Sequence, residues 1–151
     1  MQLQKDFKDF IKLLNEHRVR YLIVGGYAVG FHSRPKFTQD LDVWIECNAD
    51  NASRMLAVFK DFGFSDMTVT MDDLKKQDTI IQLGVAPLRI DIMTGVSGLR
   101  FSSSYKKKIK GTYSGVSTHF VSVQDLLKNK RASGRENDLQ DVQWIRKYAK
   151  K

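Results

Sequence analysis

The hydrophobic positions change period several times along the chain, and each change predicts an element. Leu3, Phe7, Phe10, Ile11 and Leu14 recur at helical spacing among charged residues, which predicts an amphipathic helix over residues 3–17. Tyr21 to Val24 is a continuous apolar run stopped by Gly25-Gly26, the pattern of a strand buried on both faces. A short helix over Tyr27 to His32, with Ala28, Val29 and Phe31 on its apolar side, should close before Pro35. Leu41, Val43 and Ile45 then alternate with Asp40, Asp42, Trp44 and Glu46, a strand signal. Asn48-Ala-Asp50 opens a helix whose stripe of Ala52, Met55, Leu56, Phe59 and Phe62 ends at Gly63.

Beyond Gly63 the pattern predicts a short strand over Met67 to Thr70, a helical turn over Asp72 to Lys76, and a strand over Thr79 to Val85. That strand should hairpin through Ala86-Pro87 into Leu88 to Met93, where Leu88, Ile90 and Ile92 alternate with Arg89, Asp91 and Met93. A short helix over Leu99 to Tyr105, a basic segment, a turn over Gly111 to Gly115 and a strand over Val116 to Val121 follow. Ser122 caps a helix to Arg131, ended by Gly134, and a last helix spans Glu136 to Lys150. This order is that of an α/β (α+β) fold: a mixed sheet flanked by helices, with a C-terminal helix pair. The 151 residues fit a single domain, 1–151, with a core over about residues 20–121 and a helical element over about 122–151.

Composition narrows the functional classes. No apolar run reaches the length of about 18 residues that suggests a membrane span, and the N-terminus lacks a signal peptide's apolar centre, so a cytoplasmic protein with no membrane partner is expected. Cys47 is the single cysteine; it excludes an intrachain disulfide and reads as packing. The net charge of +8 is unevenly placed: residues 1–99 carry 12 basic and 13 acidic side chains, and residues 100–151 carry 13 basic and 4 acidic. The C-terminal third is thus the face for an anionic partner, whether nucleotide, RNA or an acidic cognate protein. Lysines that merely keep a small protein soluble are the plainer explanation of any single run.

The chemistry concentrates between Tyr21 and Glu46. Gly25-Gly26 leaves backbone N–H groups bare at the start of a helix, an arrangement suited to phosphate. Asp40 and Asp42, two apart on a strand, project from the same face with Cα atoms roughly 6.5 Å apart, and such a pair can hold divalent cations. A Rossmann reading does not account for this stretch, since the spacing is not Gly-x-Gly-x-x-Gly and the aspartates would have no role. His17, His32 and His119 lack metal-ligand spacing.

The strand, Gly25-Gly26, thirteen intervening residues and Asp40-Leu-Asp42-Val together resemble the signature of the nucleotidyltransferase superfamily that includes DNA polymerase beta. More narrowly, they resemble its small bacterial members of the antibiotic-modifying and toxin types. The resemblance implies a nucleotidyltransferase fold in which Asp40 and Asp42 bind Mg²⁺ or Mn²⁺ and a third acid, at Asp91, completes the catalytic and metal-binding set. It implies an NTP such as ATP as substrate, held by Gly25, Gly26, Arg34 and Thr38. Many relatives have Gly-Ser where this chain has Gly25-Gly26.

The segment from Asp125 to Asp141 resembles the C-terminal helical element of the same enzymes. There Lys130 is expected to reach the nucleotide phosphates, while Arg135, Asp138 and Asp141 steady the helix pair. The implied activity is transfer of an NMP to RNA, protein or a small molecule with release of pyrophosphate, with a toxin role in a toxin–antitoxin pair as one setting. The alternative is a catalytically silent module that binds nucleotide, RNA or a cognate protein. Oligomeric state is not legible.

Overall fold

A computed structural model describes residues 2–35, 38–64, 68–84 and 89–149. The amphipathic N-terminal stretch forms α1 (Gln2–Glu16), and Phe7, Phe10, Ile11 and Leu14 are completely buried, as their spacing requires. The apolar run forms β1 (Tyr21–Val24), buried at all four positions. The chain turns straight into α2 (Gly25–His32), so both glycines belong to the helix rather than preceding it. β2 (Asp40–Ile45) follows, then α3 (Ala49–Phe62), whose N-cap Asn48 accepts from the Asn51 N–H and whose end is set by Gly63 in the left-handed region, φ 100°.

Residues 68–70 are not a strand. Thr70 is instead the N-cap of α4 (Met71–Lys75), in a capping box with Asp73; Met67 lies outside the described residues. β3 (Ile80–Leu83) and β4 (Arg89–Met93) pair antiparallel, while the Ala86-Pro87 connection and Leu88 are again outside the described residues. After α5 (Phe101–Lys106), residues Ile109–Tyr113 form β5 and Val116–Phe120 form β6.

The expected turn over Gly111 to Gly115 is therefore corrected. The turn is Ser114-Gly115, both at positive φ, and Gly111 sits within a strand. A Cβ on Gly111 would stand 2.5 Å from the Phe31 ring, so this glycine lets β5 approach the stacked Phe31–Phe120 pair. The C-terminal pair is α6 (Val123–Ser133), capped by Ser122 and ended by Gly134, and α7 (Glu136–Tyr148); Lys150 is outside the described residues.

The six strands form one mixed sheet in the order β3-β4-β2-β1-β6-β5. β1 runs antiparallel to β2 but parallel to β6, and β2 runs parallel to β4. A Rossmann unit needs β1 parallel to the strand that its helix connects, so the antiparallel β1–β2 pair excludes it. α1 packs on α3 and β6, and α2 packs on β1, β2, α6 and α7. Trp44, Tyr21, Phe7, Phe10 and Leu41 are among the largest fully buried side chains. No helix among the described residues is long and apolar enough to cross a membrane.

Candidate active site

Strand register assembles the acids. Val24 lies opposite Asp42 in the antiparallel β1–β2 pair, and Asp42 lies opposite Asp91 in the parallel β2–β4 pair. The end of β1 and the starts of β2 and β4 therefore meet at one end of the sheet. β2 is an interior strand, bonded on both sides, so its Asp-x-Asp is not the solvated fringe of a sheet edge.

The glycine turn fits over this end. Gly25 has φ 67°, and a Cβ there would overlap the Asp42 carboxylate, so glycine alone lets the backbone pass from strand to helix on top of Asp42. A Cβ on Gly26 would stand 2.7 Å from Thr38 Oγ1, which itself donates to the Asp40 carbonyl at 3.3 Å. Thr38 thus fills the space a serine would need at position 26. Val24, the N-cap of α2, makes no side-chain capping bond, so the helix starts with backbone donors open to a ligand.

Burial and like charge dominate the electrostatics. Burial first, then the Asp91 and Asp40 carboxylates, push the Asp42 pKa from its ordinary 3.8 up to about 7, while Lys130 and Arg89 pull the other way. Burial also raises Asp91, and Arg89 opposes it. The Arg89 guanidinium lodges between two of the acids, with Nε 3.4 Å from Asp91 Oδ1 and 3.9 Å from Asp40 Oδ1. No three acidic, histidine or cysteine side chains among the described residues converge closely enough to chelate an ion as they stand.

The donor chemistry nonetheless suits a hard divalent cation. The candidate ligands are all carboxylate oxygens, and the missing Cβ of Gly25 leaves the Asp42 carboxylate its room. A negative cluster that already draws in a guanidinium is a cluster short of positive charge.

α6 starts two residues after Val121, whose N–H bonds to the Ile23 carbonyl of β1, and it brings Lys130 to the same end. Lys130 is 7% exposed, and its ammonium lies 3.1 Å from Asp138 Oδ1 and 3.0 Å from Asp141 Oδ2. Asp138 also accepts from Arg135 Nε at 2.8 Å and from the Ser133 hydroxyl. Burial alone would raise the Asp138 pKa, but the bonds from Ser133, Arg135 and Lys130 outweigh it and hold the pKa below its ordinary value.

Two clefts of about 460 Å³ each meet at Lys130 and Arg135. One is lined by Gly25 and Asp42, with Ile80, Met93 and Val96 as an apolar wall. The other is lined by Gly26, Thr38 and α7 residues including Asn137 and Gln140.

Of the positions singled out from sequence, Gly25, Gly26, Thr38, Asp40, Asp42, Asp91 and Lys130 gather at this end of the sheet. Arg34 does not line either cleft: its guanidinium covers the Tyr148 ring at 4.3 Å, and its carbonyl accepts from Trp144 Nε1. Three residues stand in the site without having been expected there: Arg89, Arg135 as a cleft-lining cation, and Ile80, which is 63% exposed. Only Arg89 carried a usable signal, its place two residues before Asp91 on one strand face.

No family model matches the sequence, and no curated protein matches it. Solved structures do match in fold. An antigenic nucleotidyltransferase-like protein from Paracoccidioides brasiliensis superposes with a TM-score of 0.58 at 13% identity, over 95% of this chain and 74% of that one. The lincosamide antibiotic adenylyltransferase LnuA, solved with lincomycin bound, gives 0.58 at 14% identity over 94% of this chain and 95% of its own. A Thermotoga maritima protein assigned as a nucleotidyltransferase gives 0.55 at 12% identity over 95% and 89%. The fold of this chain is the nucleotidyltransferase fold.

Proposed function

We propose that this protein is a nucleotidyltransferase that moves an NMP from an NTP to an acceptor oxygen. The observation that carries the reading is the register that sets Asp42 beside Asp91 and beneath the Gly25 turn. Asp40, Asp42 and Asp91 would hold Mg²⁺ or Mn²⁺, which when bound supplies positive charge to the triphosphate and acidifies the acceptor. The open N–H groups at Gly25 and Gly26 and the Thr38 hydroxyl bind the phosphates, with Lys130 and Arg135 contributing charge from the facing helices. Thr38 replaces the serine hydroxyl that its own position keeps out of site 26. Arg34 joins the phosphate ligands only by leaving Tyr148. The acceptor oxygen attacks the α-phosphorus, its proton passes to Asp91, and the bond to the β-phosphate breaks to release pyrophosphate.

For the acceptor we favour RNA, on the charge of the C-terminal third. The test is incubation with each NTP labelled at the α-phosphate, Mg²⁺ or Mn²⁺, and a cell extract, beside Asp42→Asn. Label entering RNA with wild type alone supports the reading; label entering protein or a small molecule keeps the activity and reassigns the acceptor. A toxin setting predicts growth arrest on induced expression of wild type and none with Asp42→Asn.

A second reading is favoured by one observation: the Lys130 ammonium is already engaged by two carboxylates. In that reading the fold serves as a silent module that binds nucleotide, RNA or a cognate protein. Nucleotide binding without transfer to any fraction selects it.

A further inference from the structure

Taking the three aspartates as a cation site, as proposed above, we infer that Arg89 is the site's resident counter-ion and that a divalent metal must displace its guanidinium to bind. Asp40, Asp42 and Asp91 stand on two adjacent strands, with Asp42 directly opposite Asp91 and Arg89 directly opposite Asp40 in the β2–β4 register. Its guanidinium reaches both Asp91 and Asp40.

The neighbouring cations are shared elsewhere. Lys130 is flanked by Asp138 and Asp141, and Arg135 is bonded to Asp138. Arg89 is thus the cation whose ion pairs among the described residues are with these acids, Asp40 and Asp91, while Lys130 acts on Asp42 only through space. Its side chain is 42% exposed, so it can swing toward solvent without unpacking the core.

Two opposed consequences follow from one charge. Without metal, Arg89 relieves the repulsion among the acids and stabilises the fold. With metal, it would be a competitor for the same carboxylate oxygens and a like charge beside them. Arg89 is therefore a positioning residue that sets the metal concentration at which the acids change partner. A structural salt bridge alone predicts only the first consequence.

The test is Mn²⁺ binding, read as free Mn²⁺ by electron paramagnetic resonance, together with Tm in EDTA and in saturating Mn²⁺, all at pH 8. Wild type, Arg89→Gln and Asp42→Asn are compared. Arg89→Gln is expected to bind Mn²⁺ on the order of tenfold more tightly than wild type, because a full like charge has left the site. It should also melt lower than wild type in EDTA and gain more from Mn²⁺. Equal or weaker binding by folded Arg89→Gln, with binding lost in Asp42→Asn, overturns the role of Arg89 and leaves the metal site standing. Absence of Mn²⁺ binding in both wild type and Arg89→Gln at millimolar ion overturns the metal site itself.

Should Arg89→Gln not fold, wild type answers through its Arg89 Nε–H resonance, assigned with Arg89→Lys. Mg²⁺ is expected to shift that signal and speed its exchange with water. An unmoved signal at a metal concentration that saturates the site overturns the proposal.

Discussion

At Gly25 the chain leaves β1 with φ 67° and passes over the Asp42 carboxylate, so one position carries both a backbone and a steric requirement. Gly25→Ala should cost roughly 1–3 kcal/mol from the left-handed backbone alone, plus whatever displacement of Asp42 relieves the overlap. Because Asp42 must move, NMP transfer should fall further than stability does. A denaturant titration and a transfer assay on the same preparation check both, and an unaffected transfer rate would separate Asp42 from the reaction.

Asp42 itself makes a pH prediction for metal-free protein. Its pKa rises from 3.8 unfolded to about 7 folded, so between those values the folded state keeps a proton that the unfolded state has released. Its stabilising contribution is full below about pH 4 and is lost as pH climbs through 7. Asp42→Asn removes this dependence, and in EDTA the variant should overtake wild type by about 2–4 kcal/mol between pH 5 and pH 8. Asp91, also raised, acts in the same direction and remains in both proteins. Parallel Tm profiles for the two proteins would show that Asp42 stays ionised throughout.

At the scale of elements, a buried charge cluster joins α6 to α7. Lys130 bridges Asp138 and Asp141 across the Gly134 turn, and Ser133 and Arg135 complete the bonding of Asp138. Removing the cation takes the ammonium from both buried carboxylates and leaves Asp138 to Ser133 and the exposed Arg135. Lys130→Met should therefore destabilise by about 3–5 kcal/mol, whereas adding Asp138→Asn and Asp141→Asn should recover most of that loss. Thermal melts of the single and triple variants decide it; a single variant as stable as wild type would mean the cluster is solvated. If Lys130 also serves the phosphates, the triple variant stays folded while its nucleotide affinity remains low. That split separates the latch from the ligand.

This scale also marks where the sequence could and could not be read. Period and punctuation located β1, β2, α3, α6 and α7, because apolar spacing, Asn48, Ser122, Gly63 and Gly134 act locally. Gly111 resembles a turn residue in the sequence because the reason for it is tertiary: the Phe31 ring that approaches it is eighty residues away. The Thr70 capping box was masked by β-branched neighbours that suggest a strand. In the site, Asp40 and Asp42 were legible through their period of two. The pairing of Arg89 with Asp40 depends on β2 and β4 being neighbours in parallel register, which spacing along one strand cannot convey.

Across the whole molecule the acids and a run of lysines sit on different strands of one sheet. The acids sit at the end where β1, β2 and β4 meet, while Lys106 to Lys110 lie along α5 and the outermost strand, β5. Part of that basic run is accounted for within the fold: Lys107 pairs with Asp125 at 3.0 Å, and Lys108 covers the Tyr105 ring at 4.1 Å. Lys106 and Lys110 are exposed, and a lysine on an edge strand also guards against edge-to-edge association. The two roles differ in their response to salt. If this face binds an RNA acceptor, log K should fall linearly with log salt at about −0.7 per phosphate contacted, and Lys106→Gln with Lys110→Gln should make the slope shallower by about 1.4. If the lysines only guard the edge, the double variant should bind RNA as wild type does and self-associate on concentration. Fluorescence anisotropy with a single-stranded RNA across a salt series, beside sedimentation of the same two proteins, distinguishes the cases, because only phosphate contact changes the slope.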